Sequence, residues 1–329
     1  MGIGFSLFAV IILACIALAG AGAAHFHYLF GVVIPYAALV VFIIGFIYRV
    51  VAWGTSPVPF RITTTCGQQK TLPWIRHDEL ENPSTALGTI GRMALEVLAF
   101  RTLFRNTKAE LYGQKIVYGG AKWLWLAGLT FHYAFLTVLI RHTRFFTEPI
   151  PFFVPWLEEL DGLFSIAVPT IYLTDIALVA AGTYLFLRRV VIPQVRYISL
   201  PADYFPLFLI LGVAVSGLVT RHVYKVDLLG VKALTLGLFS FHPVVPEGIG
   251  TAFYVHLFLV CVLIAYFPFS KLMHMGGIFL SPTRNLANDN RAVRHINPWN
   301  HPVKVHTYAE YEDDFRDKMK QAGLPVEKE

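Results

Sequence analysis

Six long apolar stretches dominate the chain, at about 3–24, 29–53, 122–141, 163–187, 203–220 and 249–273. Each approaches the ~20 residues that a helix needs to cross a hydrocarbon layer. A soluble fold would have to hide such runs on every side. With 56% hydrophobic and only 15% charged residues, the chain lacks the polar surface to do so. The sequence therefore predicts an all-α fold, a polytopic membrane bundle of six transmembrane helices with membrane lipid as its solvent. The first run ends in Ala19 to Ala24, which looks like a leader cleavage site. No Lys or Arg precedes Arg49, however, and the apolar stretch is too long for a leader, so it counts as a span.

The net charge of +6 is explained by its placement, without a nucleic-acid partner. Segment 49–122 holds ten Lys and Arg, the turn after the fourth span holds Arg188, Arg189 and Arg196, and the tail from Lys271 holds nine. The opposite side holds only Arg141, Arg144, Arg221, Lys225 and Lys232. The positive-inside rule then puts both termini in the cytoplasm of a multi-pass protein of the cytoplasmic membrane.

This organisation divides the chain into two N-terminal spans (1–53), a cytoplasmic loop (54–121), a four-helix core (122–280) and a cytoplasmic tail (281–329). In the loop, Leu87, Ile90, Ala94, Val97 and Leu98 recur at helical spacing while Arg92, Arg101 and Arg105 face elsewhere. That pattern predicts an amphipathic helix at the membrane surface or against a partner. The tail should end in a helix capped by Thr307 and Glu310 and closed by Gly323. Neither segment carries a catalytic motif, and docking of a soluble protein is the economical reading.

Cys15, Cys66 and Cys261 are isolated, so the chain offers no motif for an iron–sulfur cluster or covalent haem. The chemistry sits instead in histidines at membrane depth, where an imidazole is costly without a partner. His132 and His142 are ten residues apart on the third span, and His256 and His274 are eighteen apart on the sixth. These spans run in opposite directions, so His142 and His256 share the outer level while His132 and His274 share the inner one. Two His–His pairs could clamp two irons about 20 Å apart. Bis-histidine ligation leaves no open position and suits electron transfer. A transporter or channel lined by these histidines and Asp175 is the rival reading, although no convincing internal repeat supports it.

From about Val33 to Pro282 the chain resembles the gamma subunits of respiratory nitrate reductase, membrane dihaem cytochromes b. The likeness is carried by VIPYAALVVFIIGF, FHYAFLTVLIRH, LRRVVIPQVR and VHLFLVCVLIAYFPFSKLMH. The added first span and the tail NPWNHPVKVHTYAEYEDDFRDKMKQAGLP are similar to the DsrM family of membrane cytochromes in dissimilatory sulfur metabolism. This resemblance implies two haems b, an outer one on His142 and His256 and an inner one on His132 and His274, with menaquinone or menaquinol as redox partner. It further implies three kinds of protein partner: a cytoplasmic iron–sulfur subunit like heterodisulfide reductase, a second quinone-interacting membrane subunit, and periplasmic-side subunits carrying haem c and iron–sulfur clusters. The chain would be an electron-transfer subunit, not a complete enzyme, and has no catalytic residue of its own. Arg188 and Arg189 become candidates to pair with inner-haem propionates.

Asp175 falls mid-way along the fourth span, where a carboxylate could orient an imidazole or relay protons. A quinone site near His142 would draw its walls from Arg141, Glu158, Asp161, His222, Tyr224 and Lys225. The nitrate reductase family has a quinol-binding lysine before the span that corresponds to the fourth here, whereas this chain reads LEELDGLF there, so its pocket chemistry must differ. His295, His301 and His306 lack regular metal-ligand spacing.

Overall fold

The computed structural model describes residues 2–56, 67–162, 170–289, 302 and 305–327. Cys66, His295, His301 and the start of the expected fourth span lie outside the described residues.

Five helices are long and apolar enough to cross a membrane: Gly2–Ala23, Leu29–Gly54, Lys122–Phe145, Pro201–His222 and Thr251–Phe269. They contain α1 (Gly2–Ala17), α2 (Ile34–Gly54), α5 (Lys122–His142), α9 (Pro201–His222) and α11 (Thr251–Tyr266). The outer rows of α1 and α2 show why water cannot be their solvent. Phe5 is 66% exposed, Ile44 62% and Tyr48 67%, a continuous apolar perimeter that only lipid can cover.

The fourth expected span is represented by α7 (Leu173–Val191), which is long enough to cross. Its charges, Asp175, Arg188 and Arg189, set it apart from the other five. Helix α7 packs between α5 and α9, α9 packs on α11, and α11 packs on α2. Helix α1 closes the bundle against α9 and α11. Two apolar cores hold this arrangement. One gathers Ala17, Ala21, Phe30, Leu234, Ile249 and Tyr254, and the other Val10, Leu209, Ile210, Leu259 and Leu263.

The eighteen-residue interval from His256 to His274 is not one continuous helix. Helix α11 stops at Tyr266, and two 3-10 turns follow, Phe267–Phe269 and Lys271–Met273, with Ser270 extended between them. Pro268 lacks the donor that an α-helical turn needs, which accounts for the break. His274 opens α12 (His274–Leu280).

The fold is not purely helical. The loop after α2 contains α3 (Ala86–Ala99), α4 (Arg101–Arg105) and a hairpin of β1 (Thr107–Tyr112) and β2 (Lys115–Gly120). Tyr112 pairs with Lys115, so Gly113 and Gln114 form a two-residue turn. Gly113 supplies its positive φ of 61°. Helix α3 exists where the periodicity put it, with Thr85 accepting from Gly88 N at its start.

The apolar face of α3 is exposed, and its arginine is turned away from that face. Leu87 is 79% exposed, whereas Arg92 is buried. The Arg92 guanidinium donates to the carbonyls of Glu81, Arg284 and Leu286, which ties the loop to α13 (Pro282–Asn285) and the residue after it. Burial, followed by the Arg284 cation, draws the Arg92 pKa below the ordinary arginine value, and Glu96 opposes them. Asn288 adds bonds to Pro83 O and Asn82 Oδ1. A cut at 281 would therefore divide a folded unit, and one after Asn288 would spare these bonds. Replacing Arg92 with alanine strands three carbonyls, and about 3 kcal/mol of local stability should be lost. Faster hydrogen exchange in both 81–96 and 284–288 is the expected readout; protection unchanged in either segment would refute the tie.

Three shorter helices complete the outer and inner margins: α6 (Phe153–Asp161), α8 (Pro193–Ile198) and α10 (Leu228–Phe239). Asp227 caps α10 by accepting from Leu229 N. In the tail, α14 (Tyr308–Gln321) carries the Thr307–Glu310 capping box, and Gly323 turns the chain with φ of 68°.

Candidate functional site

Helices α5 and α11 each pack mainly on other members of the bundle, and imidazoles meet in the space between the segments they carry. His142 and His256 face each other with ring centres 6.5 Å apart and planes 29° apart. His132 and His274 face each other at 6.0 Å with planes 77° apart. A metal held by two opposed imidazoles requires about 6.2 Å between ring centres, from about 2.0 Å per metal–nitrogen bond and about 1.1 Å from nitrogen to ring centre. Both pairs match that span.

The second nitrogen of each ring settles which atom is available. His132 Nδ1 donates to Gly128 O at 2.7 Å, His142 Nδ1 to Val138 O at 2.7 Å, and His274 Nδ1 to Lys271 O at 2.8 Å. His256 Nδ1 lies 2.9 Å from Ser216 Oγ. A carbonyl can only accept, so in His132, His142 and His274 Nδ1 carries the proton and Nε2 keeps its lone pair, and the hydroxyl beside His256 can accept in the same way. This is the tautomer and second bond that a metal-ligating histidine requires. Among the described residues no group of three or more metal-ligating side chains gathers. Each pair offers two imidazole nitrogens to a bound group.

The inner pair has a distinctive support. Asp203 lies almost buried at the start of α9 and holds Lys271 Nζ at 2.6 Å. Lys271 in turn presents the carbonyl that receives His274 Nδ1. Phe100, in the left-handed conformation between α3 and α4, sets its ring against His132 at 4.9 Å. Arg189 bonds Ser199 Oγ at 3.1 Å and lies 3.8 Å from Asp203, so it is already committed locally. Arg188 is half-buried near the end of α7, and no side-chain partner is seen for it among the described residues.

Beside the outer pair stands a buried charged cluster. Arg141 reaches Asp175 at 2.5 Å and Asp161 at 3.3 Å. Thr174 fixes Asp161 through its amide at 2.9 Å and its hydroxyl at 2.5 Å. The guanidiniums of Arg141 and Arg221 lie 3.8 and 4.4 Å from the centre of the Tyr172 ring. Arg141, Asp175 and Arg221 are close enough to His142 to act on it electrostatically. Asp175 sits in the first turn of α7 and not mid-span, because the helix begins only at Leu173.

The other expected quinone-site residues disperse. Glu158 pairs with Arg144 at 2.5 Å. Tyr224 is exposed, and Lys225 occupies a positive-φ position after α9. His222 keeps a buried Nε2 without a hydrogen-bond partner. Tyr172, Thr174, Ser216 and Arg221 were not singled out from sequence. Their roles arise from contacts between segments up to about fifty residues apart, for which the sequence gives no local signal.

Residues 114–295 match the nitrate reductase gamma subunit family. The chain is also similar to an "Hdr-like menaquinol oxidoreductase cytochrome b-like subunit" of Archaeoglobus fulgidus, at 48% identity over 82% of this chain and 83% of the relative. A protein of the same description from Archaeoglobus profundus is 42% identical over 81% of each chain. The matched region carries α5, α7, α9 and α11 with all four histidines, and the chain belongs to the nitrate reductase gamma subunit family.

Proposed function

We propose that this chain is a dihaem cytochrome b that exchanges electrons between menaquinol and a cytoplasmic iron–sulfur partner. The observation that carries the reading is the pair of imidazole clamps, 6.5 and 6.0 Å between ring centres, with every Nδ1 engaged elsewhere. Haem b, when bound, would supply a one-electron carrier. His142 and His256 would hold the outer group, and His132 and His274 the inner one. Arg188, which unlike Arg189 has no side-chain partner among the described residues, would meet a propionate.

The outer cluster supports a quinol site on that side. Arg141 and Arg221 offer cationic hydrogen-bond donors, and Asp161 and Asp175 offer carboxylates close to where quinol protons would be released. The cytoplasmic loop and α14 would dock the partner, with both termini in the cytoplasm. The relatives' printed description and the sequence of the tail support a DsrM-type subunit of a complex in dissimilatory sulfur metabolism. Its heterodisulfide reductase-like subunit would be the cytoplasmic partner, beside a second quinone-interacting membrane subunit and periplasmic-side haem c and iron–sulfur subunits.

A reduced-minus-oxidised spectrum of the purified chain, with a haem-per-polypeptide assay, tests this. Two non-covalent, low-spin haems b per chain are expected. One haem would sink the paired scheme, and none would favour a transporter with a polar histidine and aspartate path.

A further inference from the structure

Three of the four imidazoles are anchored within their own segment. His132, His142 and His274 each donate Nδ1–H to a carbonyl three or four residues earlier. His256 is anchored differently. Its Nδ1 meets the hydroxyl of Ser216, forty residues away on α9. That hydroxyl donates its own proton to Val213 O at 3.0 Å, which leaves an oxygen lone pair to accept from His256. The next residue, Gly217, permits the approach. A Cβ there would stand 3.2 Å from His256 Cε1, tighter than side chains ordinarily pack. Ser216 and Gly217 together form a seat for the imidazole on a neighbouring helix.

We infer that Ser216 is a positioning residue that fixes the tautomer and plane of His256 and thereby lowers the reduction potential of the outer centre. The inference rests on the dihaem reading above. An N–H that donates to an oxygen leaves more electron density on the opposite ring nitrogen, which favours the more positive, oxidised metal. Because the acceptor lies on α9 and not on α11, it also fixes how the His256 plane is turned relative to His142. Ser216 touches neither quinol nor metal, so its effect reaches the centre through the ligand alone.

Potentiometric titration of the purified chain, followed in the visible spectrum and by electron paramagnetic resonance, tests the assignment. Ser216→Ala should retain two haems, raise the midpoint of the outer centre, alter its resonance and leave the inner centre unmoved. Ser216→Thr, which keeps the hydroxyl, should restore both outer readings. Should the alanine variant not hold the outer haem, Ser216→Cys, with a poorer acceptor, carries the same expectation. An outer midpoint that is unchanged or lowered would mean that a backbone carbonyl such as Val213 O suffices, and the inference would fall. Equal shifts at both centres would reveal general loosening and overturn it too. A wild-type chain without two haems defeats the underlying reading instead, so the two failures are distinguishable.

Discussion

Replacing His142 with alanine is expected to lower the haem content from two to one and to abolish one of two distinct low-spin resonances. The surviving signal should be the strongly anisotropic one. When imidazole planes are near perpendicular, as for His132 and His274 at 77°, the two iron orbitals that interact with them stay close in energy, and the signal is highly anisotropic. Near-parallel planes, as for His142 and His256 at 29°, split those orbitals and give a rhombic signal. His256→Ala should therefore match His142→Ala, while His132→Ala and His274→Ala should remove the anisotropic signal and spare the rhombic one. Loss of the low-spin resonance is all or none at each site, because a single histidine cannot make a bis-imidazole centre. Crosswise behaviour, with His132 and His256 acting as a pair, would show that the depth assignment is wrong.

The second large effect is expected at Arg141. Its side chain is 7% exposed, and its partners Asp161 and Asp175 are 4% and 15% exposed. Arg141→Ala leaves two carboxylates in a confined apolar setting without their cation. Breaking such a pair costs about 3–5 kcal/mol, much of it the penalty on the charges left behind. Thermal unfolding in detergent should move down accordingly. Adding Asp175→Asn to the alanine variant should recover part of the loss, because one stranded charge is then removed. Arg141→Lys keeps the cation but cannot reach two carboxylates through a planar fork, so an intermediate loss is expected. If that variant folds, reduction by a menaquinol analogue should slow while the spectra of both centres persist. A cost below about 1 kcal/mol for Arg141→Ala would show that water already screens the cluster.

Much of this arrangement is legible from residues alone. The long apolar runs identify spans, and alternating direction brings His142 level with His256 and His132 level with His274. The interval from His256 to His274 is legible only in part. Counting eighteen helical residues reaches the same pairing, yet Pro268 interrupts the helix, and His274 arrives on separate turns. Asp175 reads as a mid-span carboxylate until the start of α7 is known, and its tie to Arg141 depends on α6 and Tyr172 folding back across α5. Helix α10 is too short for a span, and only Asp227 announces it. Arg92 inverts the usual sense of an amphipathic pattern, because three distant carbonyls compensate its burial.

The interruption after Tyr266 also makes the two clamps mechanically unequal. His142 and His256 project from continuous α-helices, whose stiffness keeps their separation nearly constant. His274 instead rides on a jointed arm, braced from the side by the Asp203–Lys271 strut. Such an arm can swing by small backbone rotations without disturbing the rest of the bundle. The inner gap thus has a compliance that the outer one lacks.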